Sequence, residues 1–225
     1  MRKWIIIVVL AGVAGVGAFL WLGDEPAPRA AVLRAEPGTA HYAPIATRDL
    51  DPQPLTVAEM FPAPSVSAGT TKLALKATET LADCAEAVWG SAQDALGGCT
   101  QVLRARYETE DGAVSGQFLI FNLADSAAAD RLVAALKGDG GDGFVRPAPD
   151  TPDGFDGSRS WAQVRGLGHY VTVSWVAPVA GGSTARAGTG ESGEGGEGGE
   201  GRVDLTYPQV AMDGLGLVIQ RRLVR

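Results

Sequence analysis

The chain has 225 residues, 45% of them hydrophobic and 20% charged, with a formal net charge of −7. That balance belongs to a globular protein and excludes wholesale disorder. An acidic chain with no lysine-rich run lacks the basic footprint that phosphate backbones demand, which excludes nucleic acid as its main partner.

Met1-Arg2-Lys3 opens the chain, and from Trp4 to Leu22 there is no charged residue. A helix of that length spans about 28 Å, close to the hydrocarbon thickness of a bilayer. Trp4 and Trp21 stand at its two ends, where amphipathic rings favour the headgroup level. Arg2 and Lys3 precede the span while Asp24 and Glu25 follow it, so the positive-inside rule puts residues 1–3 in the cytoplasm and everything after residue 22 outside. The alternative is a cleaved signal peptide, but its apolar region is shorter, and Gly23-Asp24-Glu25-Pro26 makes a poor cleavage site. Both readings export the remainder.

Residues 23–71 are rich in proline and alanine at first and show no sustained apolar period, which predicts an extended extracytoplasmic stalk. Thr56-Val57-Ala58-Glu59 has the form of a capping box and predicts one short helical turn before Pro62. The folded domain is expected over 72–225. Lys72 to Ala77 alternates as a half-buried strand does. Leu81, Ala85, Val88, Ala92 and Ala95 then recur at helical spacing up to Gly97-Gly98.

Thr100 to Glu108 alternates again, with Leu103, Ala105 and Tyr107 on one face and Val102, Arg104 and Arg106 on the other. Glu110-Asp111-Gly112 is a hairpin signal leading into a strand over Val114 to Asn122. Asp125 or Ser126 can cap a helix whose Ala128, Ala129, Leu132, Val133 and Leu136 share a face. Strands follow over Trp161–Arg165 and His169–Val176, around Gly166-Leu167-Gly168, and a last helix is expected from Pro208.

The order β-α-β-β-α-β, with one more strand and a C-terminal helix, predicts an α+β domain. Its expected form is ferredoxin-like, a split βαβ antiparallel sheet with helices on one face, preceded by the transmembrane helix. The Gly/Glu tract over 181–201 reads as a disordered loop between the last strand and the last helix.

Cys84 and Cys99 are the only cysteines. In an oxidising compartment an isolated pair is usually a disulfide; two buried free thiols are the alternative. A straight helix from Cys84 to Leu96 would rise about 18 Å, too far for three residue steps to undo, so a bond requires that helix to end early or bend, most readily at Gly90. The spacing is not that of a Cys-x-x-Cys redox motif, and with His41 and His169 the only histidines no zinc site is expected.

Asp83-Cys84, Gly98-Cys99-Thr100-Gln101-Val102-Leu103-Arg104-Ala105-Arg106-Tyr107, and Asn122-Leu123 leading to Ala127-Ala128-Ala129 together resemble a group of uncharacterised membrane-anchored or exported proteins of actinomycetes. The resemblance covers roughly residues 55 to 178 and implies no known activity.

No Gly-x-Ser-x-Gly elbow, His-Glu-x-x-His helix or phosphate-cradling loop occurs, so no catalytic residue, cofactor or metal ligand is assigned. His169 precedes a strand holding Ser174 and reads as a turn residue rather than a general base. Asp139, Asp142, Asp150, Asp153 and Asp156 could offer oxygens to Ca²⁺ but match no EF-hand spacing and read as turn formers. Arg104 and Arg106, and the group Arg221, Arg222 and Arg225, could meet anionic lipid or wall polymer; the plainer reading is a solvated face or a complemented helix dipole. Trp89, Trp161, Tyr170 and Trp175 read as core before they read as a ligand groove.

The expected protein is therefore a non-catalytic, single-pass, membrane-anchored interaction or sensing module outside the cytoplasm. Its partners are the bilayer, through the N-terminal helix, and an envelope protein or cell-wall component. The alternatives are a cell-envelope enzyme with an unrecognised site and a small-ligand or Ca²⁺ receptor.

Overall fold

In the computed structural model, residues 28–138, 142–181 and 203–224 are described. The elements in chain order are β1 (Val32–Glu36), α1 (Val57–Met60), β2 (Ser65–Ala68), β3 (Thr71–Leu81), β4 (Val88–Gly90), β5 (Gln101–Thr109) and β6 (Val114–Asn122). After these come α2 (Ser126–Lys137), β7 (Gly143–Val145), β8 (Trp161–Leu167), β9 (Tyr170–Pro178) and α3 (Thr206–Asp213). Four 3-10 segments, Ala40–Ile45, Cys84–Ala87, Gly157–Arg159 and Gly214–Val224, complete the list of elements.

The five segments expected as strands are β3, β5, β6, β8 and β9, and with β1 and β2, which were not expected, they build one curled seven-stranded sheet in the order β1-β8-β9-β6-β5-β3-β2. Every pairing in it is antiparallel except β1 on β8, which is parallel. A separate pair, β4 and β7, stands beside it. The central strands β6 and β9 are buried at every residue, the pattern of strands covered on both faces. One face packs on α2 and the β4–β7 pair, through Val102, Leu119, Val173 and Trp175 against Leu132, Leu136 and Phe144. The other packs on α1, α3 and the C-terminal 3-10 segment, through Leu103, Tyr107 and Phe118 against Met60, Met212, Leu215 and Ile219. The expected division of β5 holds, since Leu103, Ala105 and Tyr107 belong to one core and Val102 to the other.

The ferredoxin-like expectation is overturned. The segment after β3 is not a helix: a 3-10 turn at Cys84–Ala87, capped by the Asp83 carboxylate, runs straight into β4. Its helical spacing rested mostly on alanines, whose small side chains fit a turn as well as a helix face. Gly90 has φ +61°, and a Cβ there would lie 1.8 Å from the Asp142 carbonyl oxygen, so pairing with β7 needs the glycine. Helices also cover both faces of the sheet, not one, and the sheet is mixed.

The stalk reading does not hold for residues 28–71. β1 is a sheet strand, and Ile45, Leu55, Met60 and Phe61 are buried in the core. The apolar residues here are too scattered to show a period because each serves a short irregular segment. The Thr56 cap does form, its hydroxyl accepting the Glu59 N–H at 3.1 Å. The expected membrane span, Trp4–Leu22, lies outside the described residues, as does the Gly/Glu tract beyond Gly181. Among the described residues no helix is long and apolar enough to cross a membrane.

Cys84 and Cys99 form a disulfide, with Cα atoms 6.2 Å apart. The geometric objection dissolves because the chain between them turns back at once. Arg48 holds the far end of this loop, donating to the Gly98 carbonyl at 2.8 Å and to the Thr100 hydroxyl at 2.6 Å.

Helix α2 starts as expected on Asp125, whose carboxylate accepts the Ala128 N–H at 2.7 Å. Its end is held from far away. Arg29 donates to the carbonyls of Leu136 (3.0 Å), Lys137 (2.7 Å), Gly138 (3.0 Å) and Gly143 (2.7 Å), with its guanidinium 5.4 Å from the Phe144 ring centre. The last carbonyls of a helix have no partner within it, and here a cation supplies their donors.

Candidate functional site

Arg222 was expected at a solvated helix end, and the structure places it inside. Its side chain is 1% exposed. It forks onto Glu59 (Nε to Oε1 2.9 Å, Nη2 to Oε2 2.6 Å) and meets both Asp51 oxygens at 2.9 and 3.0 Å. The Gln53 and Pro54 carbonyls at 2.7 and 3.3 Å take its other hydrogens. The Tyr170 hydroxyl donates to Asp51 at 2.8 Å and lies 3.1 Å from Nη1. Burial opposes the charge, but the hydrogen bonds it donates to Glu59 and Asp51 outweigh that cost and hold the guanidinium above its ordinary pKa. All five N–H groups are used, so this cluster ties the C-terminal segment to residues 51–59 and leaves no donor for a ligand.

His169 is fully buried. Its Nδ1 lies 2.8 Å from the Ile45 carbonyl oxygen and therefore carries the proton, while Nε2 has no partner. Burial lowers its pKa, opposed by the Ile45 hydrogen bond. Ser174, five residues further on in β9, is about 17 Å from this turn residue and finds Asp213 and Gln209 instead. Gln209 also donates to Asp213 at 2.7 Å, and burial raises the Asp213 carboxyl above its usual range. The histidine and the serine are thus not brought together.

The other residues weighed from sequence are dispersed in the same way. Arg104 is buried, with its pKa lowered by that burial, and reaches Glu79 at 3.4 Å. Arg106 bonds Glu108 and, at 2.8 Å, Asp150. Asp156 caps the Gly157–Arg159 turn and pairs with Arg159. Asp139 and Arg225 lie outside the described residues, and Arg221 is exposed. Among the described residues no three His, Cys, Asp or Glu side chains come together as metal ligands would. Trp175 is core, donating to Ser160 Oγ at 2.8 Å; Tyr170 belongs to the Arg222 cluster; Trp161 is 37% exposed at the sheet's end. These aromatics line no common groove.

One concavity among the described residues is largely apolar. A cleft of about 260 Å³ lies between the α1–β2 connection and the C-terminal segment, walled by Met60, Phe61, Val66, Leu215 and Val218. Tyr107 of β5 contributes to its lining; that residue is fully buried, its hydroxyl has no hydrogen-bond partner, and burial raises its pKa to about 12. Tyr207, Val210 and Leu217 are exposed on α3 and the segment after it. Sequence placed Tyr107 on the correct strand face but had no signal for the cleft, because its walls come from residues 60–67, 107 and 211–218. A smaller recess of about 160 Å³ near Glu36, Arg165 and Gln220 is more polar.

Compared with known protein families, curated proteins and solved structures, the chain matches none.

Proposed function

We propose that the protein is a non-catalytic binding module held on the outer face of the cytoplasmic membrane, with the apolar cleft over Tyr107 as its contact site. The observation that carries export is the disulfide joining the chain's two cysteines, since such bonds persist in oxidising compartments. The uncharged run Trp4–Leu22 supplies the anchor. The binding role is supported by how the polar side chains are spent: Arg222, Arg104, Arg106, His169 and Ser174 each serve a structural contact. The cleft over Tyr107 offers apolar walls, which suit an apolar group of a partner or ligand.

Thiol trapping in intact cells tests the export. Free thiols are alkylated under denaturing quench, the sample is reduced, and a mass-tagged maleimide is added. Both cysteines should take the tag only after reduction, in protein that sediments with membranes. Cysteines already blocked by the first alkylation would place the domain in a reducing compartment and overturn the proposal.

A further inference from the structure

We infer that one end of the sheet, where β1 and β8 begin, rests on the lipid headgroups with Trp161 and Arg159 facing the bilayer. The inference rests on the proposed anchor. From Leu22 to Arg29 there are seven residue steps, at most about 25 Å of fully extended chain. At Arg29 the slack ends. Its guanidinium is fixed by four carbonyls, Ala30 is in the core, and Val32 donates its N–H to the Ser160 carbonyl at 3.0 Å. A domain of roughly 170 residues is about 40 Å across. Headgroups take up about 5–8 Å of the tether's reach. The tether is then shorter than the domain is wide, so the end that carries Arg29 must face the membrane.

The chemistry of that end fits the position. Trp161 and its register partner Val32 are 37% and 54% exposed, and Trp161 is so although Ser160 and Ala162 on either side of it are buried. Arg159, paired with Asp156, is half exposed just before Trp161. A tryptophan beside an arginine at the surface is the pair that favours the boundary between lipid and water. The opposite end of the sheet, where Thr47 bridges to Asp125 beyond the end of β6, carries the exposed Leu50. The nine-residue strands separate the two ends by about 30 Å.

The full-length protein, reconstituted in vesicles of phosphatidylcholine and phosphatidylglycerol, tests this with p-benzoylphenylalanine placed at position 161 or, in a second variant, at position 50. After irradiation, lipid adducts are counted by mass spectrometry on protein recovered by flotation. Several-fold more adduct at 161 than at 50 is expected. Inserting about 20 Gly/Ser residues after Gly23, which adds roughly 25 Å of mean reach, should bring the two positions close to parity. Protein that floats but labels equally at both positions overturns the orientation and leaves the anchor standing. An unchanged preference in the lengthened chain overturns the tether as its cause. Protein that does not float overturns the anchor, and the orientation with it.

Discussion

Replacing Arg222 by alanine should be among the most damaging single changes available to this protein. The substitution strips donors from both carboxylates of the cluster and from the Gln53 and Pro54 carbonyls, while Asp51 and Glu59 stay 11% and 18% exposed. Breaking a buried ion pair by deleting one partner costs about 3–5 kcal/mol, because the charge left behind has lost its water and its counter-ion. The cluster's partial access to solvent argues for the lower half of that range. At about 2–4 °C per kcal/mol for a domain of this size, the melting temperature should fall by roughly 10 °C. Urea unfolding of the full chain in detergent micelles, followed by circular dichroism, gives the free energy directly. Arg222→Lys should recover only part of the loss, since an ammonium cannot fork onto Glu59 while also reaching Asp51 and two carbonyls. A loss below about 1 kcal/mol for Arg222→Ala would refute the reasoning, because that is the worth of an exposed surface pair.

Three other outcomes are expected. His169 has a lowered folded-state pKa, so the unfolded chain binds the extra proton first; stability should decline as pH falls below about 6.5, by at most about 1.4 kcal/mol per pH unit, and His169→Gln should remove that slope between wild-type and variant urea curves. Substituting both cysteines by serine opens a loop whose ends are 15 residues apart and should cost about 3 kcal/mol in chemical denaturation, with no loss if the loop is already ordered without the bond. Tyr107→Phe removes a buried hydroxyl that has no partner, so it should be neutral or stabilising by up to about 1 kcal/mol; a clear loss in thermal unfolding would mean that the hydroxyl is satisfied by ordered water.

What could be read from sequence was local. Alternation located β3 and β5, turn signals located β6, β8 and β9, and the Asp125 cap with the spacing of Leu132, Val133 and Leu136 located α2. Each signal is complete within about a dozen residues. The misreadings came where the deciding partner is remote. β1 is five residues with Leu33 and Ala35 turned to the core, too short to show a period, and only β8 makes it a strand. Arg222 looks like any terminal arginine until Asp51 and Glu59 arrive from more than 160 residues earlier. The false helix after β3 shows the reverse failure, a local pattern outvoted by the close approach of Gly90 to Asp142. The cleft over Tyr107 was invisible for the same reason, being made by three distant stretches.

The parallel pairing of β1 with β8 also sets an order of assembly. Glu36 and its partner Arg165 are 129 residues apart, so β1 cannot dock until most of the domain has been made. Closing so long a loop is slow, and contacts of this range delay folding more than they weaken the product. Until β1 docks, β8 presents an open edge to any other extended chain nearby. The step that closes this edge joins two strands remote in sequence, so a newly made molecule would be at its most aggregation-prone while β1 is still undocked.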